Sequence, residues 1–229
     1  MDHKCAKSLP SVFLGLSAAF IVILGIILLV VEKGTLHLAM NAYHDRCLDF
    51  VFQYYTKVGD WIPYLFVAGL LFYKVGWSGL LLGNIVVSGL ISQGLKYALN
   101  TERPLTWFAN HMPDVQLTLV EGVRMSQYYS CPSGHTVTFF ALFLTLSWVV
   151  CADQIRRHQL WQVLFFCLTI LGCYSRIYLS QHFAVDIWAG TLVGIGASLL
   201  WYPLVVWLQK KAFWDWNLCL LWAKIKKNH

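Results

Sequence analysis

Six runs of apolar residues, at 12–31, 61–73, 77–99, 136–151, 161–179 and 184–208, set the limits on how this chain can fold. About 20 apolar residues in a helix are enough to cross a bilayer. The expectation is an all-α, polytopic membrane protein with six transmembrane helices. Composition agrees: 58% of the 229 residues are hydrophobic and 12% charged, against about 25% charged in soluble domains. The run 61–73 is the shortest, and Gly59 and Asp60 are expected to form its wet end. The first run could be a signal peptide, but it exceeds the roughly 7–15 residues of a signal's apolar region. No small-residue cleavage site follows before Glu32, so it reads as a span. The longest connection, 100–131, leaves no soluble domain, and 1–229 reads as one integral membrane domain.

Six spans put both termini on one side. That side would hold ten of the seventeen Lys and Arg residues and three of the eleven acidic ones. The excess of Lys and Arg makes it the cytoplasmic side. The net positive charge therefore reflects topology and anionic lipid, and no nucleic-acid partner is expected.

Between the first two spans, Leu48, Val51, Phe52 and Tyr55 recur at helical spacing, with Asp45 as a candidate cap. This reads as a short amphipathic segment on the outer interface. Lys96 and Arg103 would share a face about 10 Å apart if the third helix persisted, and Pro104 would close it. Snorkelling to headgroups explains both cations equally well. The loop 100–131 has the length of a substrate-contacting lid. His111, Asp114 and Glu121 lie in it without metal-ligand spacing, so no metal or other cofactor is expected. Cys47 and Cys131 would share one side and could pair in an oxidising compartment. The tail 213–229 mixes tryptophans with lysines and reads as a cytoplasmic interfacial anchor.

Chemistry concentrates at the ends of four runs. Pro132-Ser133-Gly134-His135 stands where a polar loop becomes apolar. Proline suits a first helical position, and a helix start offers free N–H groups and a positive dipole end to an anion. His182 and Asp186 are spaced i, i+4, so a carboxylate would orient a histidine on one helix face. Ionisable groups at membrane depth are usually functional. Counting spans puts Lys96, Arg103, Ser133, His135, Arg176, His182 and Asp186 at one level on the outer side. Three cations, a helix start, two histidines and a carboxylate suit a multiply charged oxyanion such as phosphate.

Three ordered blocks carry a family resemblance. They are Lys96 with six residues before Arg103-Pro104, Pro132-Ser133-Gly134-His135, and Ser175-Arg176 with five residues before His182 and three before Asp186. Together they resemble the type 2 phosphatidic acid phosphatase superfamily. The resemblance implies a metal-independent phosphatase with a helical-bundle fold. It implies His182 as the nucleophile that forms a phosphohistidine, Asp186 as its orienting partner and His135 as the acid. Lys96, Arg103, Ser133, Gly134 and Arg176 would bind phosphoryl oxygens. The expected enzyme is a bacterial-type inner-membrane hydrolase acting from the periplasmic side on a lipid phosphate or diphosphate. Undecaprenyl diphosphate, lipid A phosphate and phosphatidylglycerophosphate are the candidate substrates. The segment 119–123 is similar to that of lipid A 4′-phosphatase-like members. The same motifs would serve a phosphotransferase that passes the phosphoryl group to an acceptor lipid. An anion transporter could use the same cations, though it has no need of the histidines.

Overall fold

The computed structural model describes residues 9–208, 210–211, 214–219 and 222. Among them are eight helices: α1 (Ser11–Val30), α2 (Lys33–Met40), α3 (Arg46–Tyr73), α4 (Val75–Leu99), α5 (Pro104–His111), α6 (Gly134–Ala152), α7 (His158–Tyr178) and α8 (Ala184–Leu208). The protein is an all-α, multi-pass membrane protein. Five segments, containing α1, α4, α6, α7 and α8, are long and apolar enough to cross a membrane, and a shorter apolar stretch, Gly59–Tyr73, belongs to α3. Of the six expected spans, five thus reach that length, and the run expected to be shortest lies in the shorter stretch Gly59–Tyr73.

The amphipathic segment and the second span, expected as separate elements, form the single helix α3. The Asp45 carboxylate caps its start by accepting from the Cys47 and Leu48 N–H groups, and neither Gly59 nor Pro63 interrupts it. Its apolar face is partly packed on the bundle, with Val51 left exposed. Phe52 is buried against Tyr178 and Tyr174 of α7.

Helix α6 is the centre of the bundle, with nearly every residue buried between α4, α7 and α8. Small residues allow this closeness where lipid offers no hydrophobic drive to association. A Cβ on Gly190 of α8 would come within 2.9 Å of the Ser133 carbonyl, and one on Gly194 within 2.8 Å of Phe140 Cβ. Polar contacts fix the register. Asn84 of α4 donates through its Nδ2 to the Ala141 carbonyl, Thr145 Oγ1 and Ser198 Oγ, joining three helices in the dry core. Helix α1 is part of the same body. Phe13 packs edge-on to Phe140 and Phe166, and the Trp188 indole donates to the Ile21 carbonyl.

At the end of the bundle away from the phosphate motifs, Lys74 pairs with Asp153 at 2.7 Å. The hydroxyl of Tyr73 and the indole N–H of Trp77 donate to the same carboxylate. Trp214 is buried against Trp77, and the Val75 and Gly76 N–H groups donate to the Trp216 and Trp214 carbonyls. The beginning of the tail therefore closes the first turn of α4. Most of the segment expected as an anchor lies outside the described residues.

Candidate active site

The ends of α4 and α7 and the starts of α6 and α8 meet at one end of the bundle. Helix α4 stops at Leu99 because Asn100 turns left-handed at φ 40°. Lys96 and Arg103 therefore do not share a helix face. Arg103 instead precedes Pro104, which opens α5 inside the expected loop. The rest of the loop is tied down: Arg103 N–H donates to the Gln127 carbonyl, Ser130 N–H to the Thr101 carbonyl and Gln53 Nε2 to the Glu121 carbonyl. Pro132 does not occupy a first helical position. Ser133 is the N-cap of α6, its hydroxyl facing the Thr136 N–H, and Gly134 is the first helical residue. The Ser133 N–H donates to the Asp186 carbonyl at 3.0 Å, which joins the α6 start to α8.

His182 lies two residues before α8, so its partnership with Asp186 is made across a helix start rather than along a face. His182 Nδ1 is 3.5 Å from Asp186 Oδ2, and both residues are at most 2% exposed. Asp186 Oδ2 also accepts from the Ser130 hydroxyl and from the Phe183 N–H at 2.9 Å. Burial pushes the His182 pKa down, to about 3, while Asp186 opposes the shift. The imidazole is therefore neutral near neutral pH, with Nδ1 turned to the carboxylate.

No ion pair engages Lys96, Arg103 or Arg176 among the described residues. Arg103 donates from Nε to the Tyr128 carbonyl at 3.1 Å and from Nη1 to the Gln181 carbonyl and side chain at 3.3 Å. Arg176 is 6% exposed and donates from Nη1 to Thr56, while its Nε is buried without a partner. A buried donor left unpaired costs about 1–3 kcal/mol, so it marks a place for an acceptor. Lys96 Nζ lies 3.6 Å from where a Gly134 Cβ would stand, at the α6 start. It also lines two neighbouring clefts. One, of about 250 Å³, includes Asp60, Gly134 and His135, and the other includes Arg103 and Tyr128.

All eight residues expected in the site thus gather at one end of the bundle. Several others there were not anticipated. Asp60 lies 3.0 Å from His135 Nε2. Thr56 and Gln181 hold the two arginines, and Ser130 holds Asp186. Lys33 of α2 places its ammonium over the Phe183 ring at 3.9 Å. Only Ser130 and Gln181 adjoin a sequence block closely enough to have been found from it.

Cys47 and Cys131 are free thiols and are not paired. Burial and the nearby Asp186 push the Cys131 thiol up to about 12, which keeps it protonated and unreactive. His111 stacks on Trp107 with its Nδ1 at the Trp107 carbonyl, and no group of three metal-ligating side chains occurs among the described residues.

Comparison with known proteins agrees with this geometry. The PAP2 superfamily model matches residues 77–210. A lipid A 4′-phosphatase from Porphyromonas gingivalis is 29% identical over 192 residues, covering 80% of this chain and 77% of that protein. A dihydrosphingosine 1-phosphate phosphatase from Schizosaccharomyces pombe is 26% identical over 187 residues, covering 76% of this chain and 43% of that one. Two crystal structures share the fold. LpxE of Aquifex aeolicus has a TM-score of 0.60 at 22% identity, over 73% of this chain and 93% of its own. A PAP2-type phosphatidylglycerolphosphate phosphatase of Bacillus subtilis has a TM-score of 0.61 at 21% identity, over 86% and 96%. The chain belongs to the PAP2 superfamily and is a phosphoric ester hydrolase of the lipid phosphatase class.

Proposed function

We propose that this protein removes a phosphate from a lipid headgroup through a phosphohistidine on His182, with a lipid A-type phosphate as the preferred substrate. One observation carries the chemistry: three cations without an ion-pair partner among the described residues, one with a buried unpaired N–H, beside a buried neutral histidine backed by a carboxylate. His182 attacks phosphorus through Nε2, since Nδ1 faces Asp186. As the N–P bond forms, the bond from phosphorus to the lipid oxygen breaks and its electron pair goes to that oxygen. His135 supplies the proton. Water then attacks the phosphohistidine with His135 accepting its proton, and inorganic phosphate leaves. Lys96, Arg103, Arg176 and the Ser133–Gly134 helix start neutralise the phosphoryl oxygens, the largest contribution such a site makes.

The P. gingivalis relative supports a lipid A-type substrate, since it covers most of both chains. The charge distribution supports cytoplasmic termini and a periplasmic site in a bacterial inner membrane. The test is phosphate release by purified protein from lipid A, phosphatidylglycerophosphate, phosphatidic acid and undecaprenyl diphosphate. Lipid A should be turned over fastest, and His182→Ala should abolish release from every substrate. Turnover by that variant near the wild-type rate would overturn the mechanism.

A further inference from the structure

A site that gathers cations around a phosphate has a difficulty with its acid. His135 must carry a proton to donate one, yet two cations, Lys96 of α4 and Arg176 of α7, stand near its ring. Asp60 of α3 is the carboxylate that opposes them, with Oδ1 3.0 Å from His135 Nε2. The contact lies at ion-pair distance without the alignment of a hydrogen bond. Its closeness is built into α3. Gly59 precedes Asp60, and a Cβ there would meet the Phe139 ring at 2.9 Å and His135 Cδ2 at 3.2 Å. Any larger residue would hold α3 away from α6. Asp60, Lys96 and His135 line one cleft of about 250 Å³, so the pair faces the space that a substrate would enter.

We infer that Asp60 is a positioning residue for the acid: it keeps His135 in its charged form and holds the ring by Nε2, so that Nδ1–H is the group given to the leaving oxygen. This rests on the reading of His135 as the proton donor. An imidazolium has two N–H groups, and a carboxylate close by favours the charged ring. With one N–H facing Asp60, the other is free to lose its proton as the phosphorus–oxygen bond breaks and the oxygen takes the electron pair. The site then contains two His–Asp pairs in opposite states. His182 with Asp186 is buried and neutral for attack, and His135 with Asp60 is more open and, by this assignment, charged for donation.

The test compares kcat/KM, which reports steps through departure of the leaving group, for a lipid phosphate and for p-nitrophenyl phosphate, whose leaving group needs little protonation. Asp60→Asn should lower the lipid value about 10–100-fold and the p-nitrophenyl value much less. The alkaline limb of the lipid profile should move toward lower pH. Asp60→Glu should restore the limb in part. The ratio of the two substrates does not depend on how much of a preparation is folded. An unchanged ratio with an unmoved alkaline limb would overturn the assignment of Asp60. His182→Ala separates the two ideas: if it still cleaves both substrates, the phosphohistidine reading fails, whatever Asp60→Asn does.

Discussion

Arg176 should stabilise the transition state while destabilising the empty protein, and replacing it with methionine separates the two effects. Its guanidinium is 6% exposed, donates once to Thr56, has no carboxylate ion pair among the described residues and leaves Nε unpaired. Methionine has similar length and no polar hydrogens. Removing one buried unsatisfied donor should recover about 1–3 kcal/mol, and replacing buried charge by apolar volume is often stabilising. That corresponds to a Tm about 2–12 °C higher for a chain of this size. Activity should move the other way. Losing one pre-placed donor to the phosphoryl oxygens costs about 3–4 kcal/mol, or about 10²–10³ in kcat. The assay is paired: thermal unfolding of detergent-solubilised protein, with and without inorganic phosphate, alongside phosphate release from lipid. Phosphate should raise the wild-type Tm, because only the folded protein binds it, and should raise that of Arg176→Met far less. A lower Tm for the variant without phosphate would refute the reasoning about the empty site. Phosphate release near the wild-type rate would refute the role.

Two other perturbations test the frame around the site. Burial lowers the His37 pKa from 6.5 to about 4, and this side chain on α2 is 1% exposed with Nε2 at Ser180 Oγ. A depressed folded-state pKa means that its contribution is complete above pH 6.5 and lost as pH falls toward 4. Thermal unfolding at pH 7 and 4.5 should therefore show a loss of about 2 kcal/mol, at about 1.4 per pH unit within the window, that His37→Gln reduces. Gly190→Val should place a side chain against the Ser133 carbonyl, 2.9 Å from its Cβ. A shift of the α6 start by about 1 Å should cost about 10²-fold in kcat, with helix content by circular dichroism unchanged.

Much of this protein could be read from its sequence. The ends of α1, α4, α6, α7 and α8 fall within about three residues of the apolar runs, because lipid dictates helix length and charge marks its limits. The eight residues that gather at one end of the bundle could be listed in advance, since the direction of each span fixes which ends share a level. Local geometry was less legible. Nothing in 45–73 says whether an amphipathic face meets lipid or another helix, and Phe52 on Tyr178 decided for one continuous α3. The left-handed Asn100 broke the helix expected to join Lys96 to Arg103. Asp60 was expected only as the wet end of the second run, because its partner, His135, is 75 residues away.

The sequence by itself determined an all-helical membrane chain and the chemical types gathered at one end of it. Both follow from one-dimensional quantities: the length of apolar runs and the parity of spans. Only the tertiary structure decided which charges remain unpaired and which histidine faces which carboxylate. The His135–Asp60 pairing depends on a 3.0 Å distance between α6 and α3, set by Gly59 against the Phe139 ring, and the His182–Asp186 pairing on how the chain turns into α8.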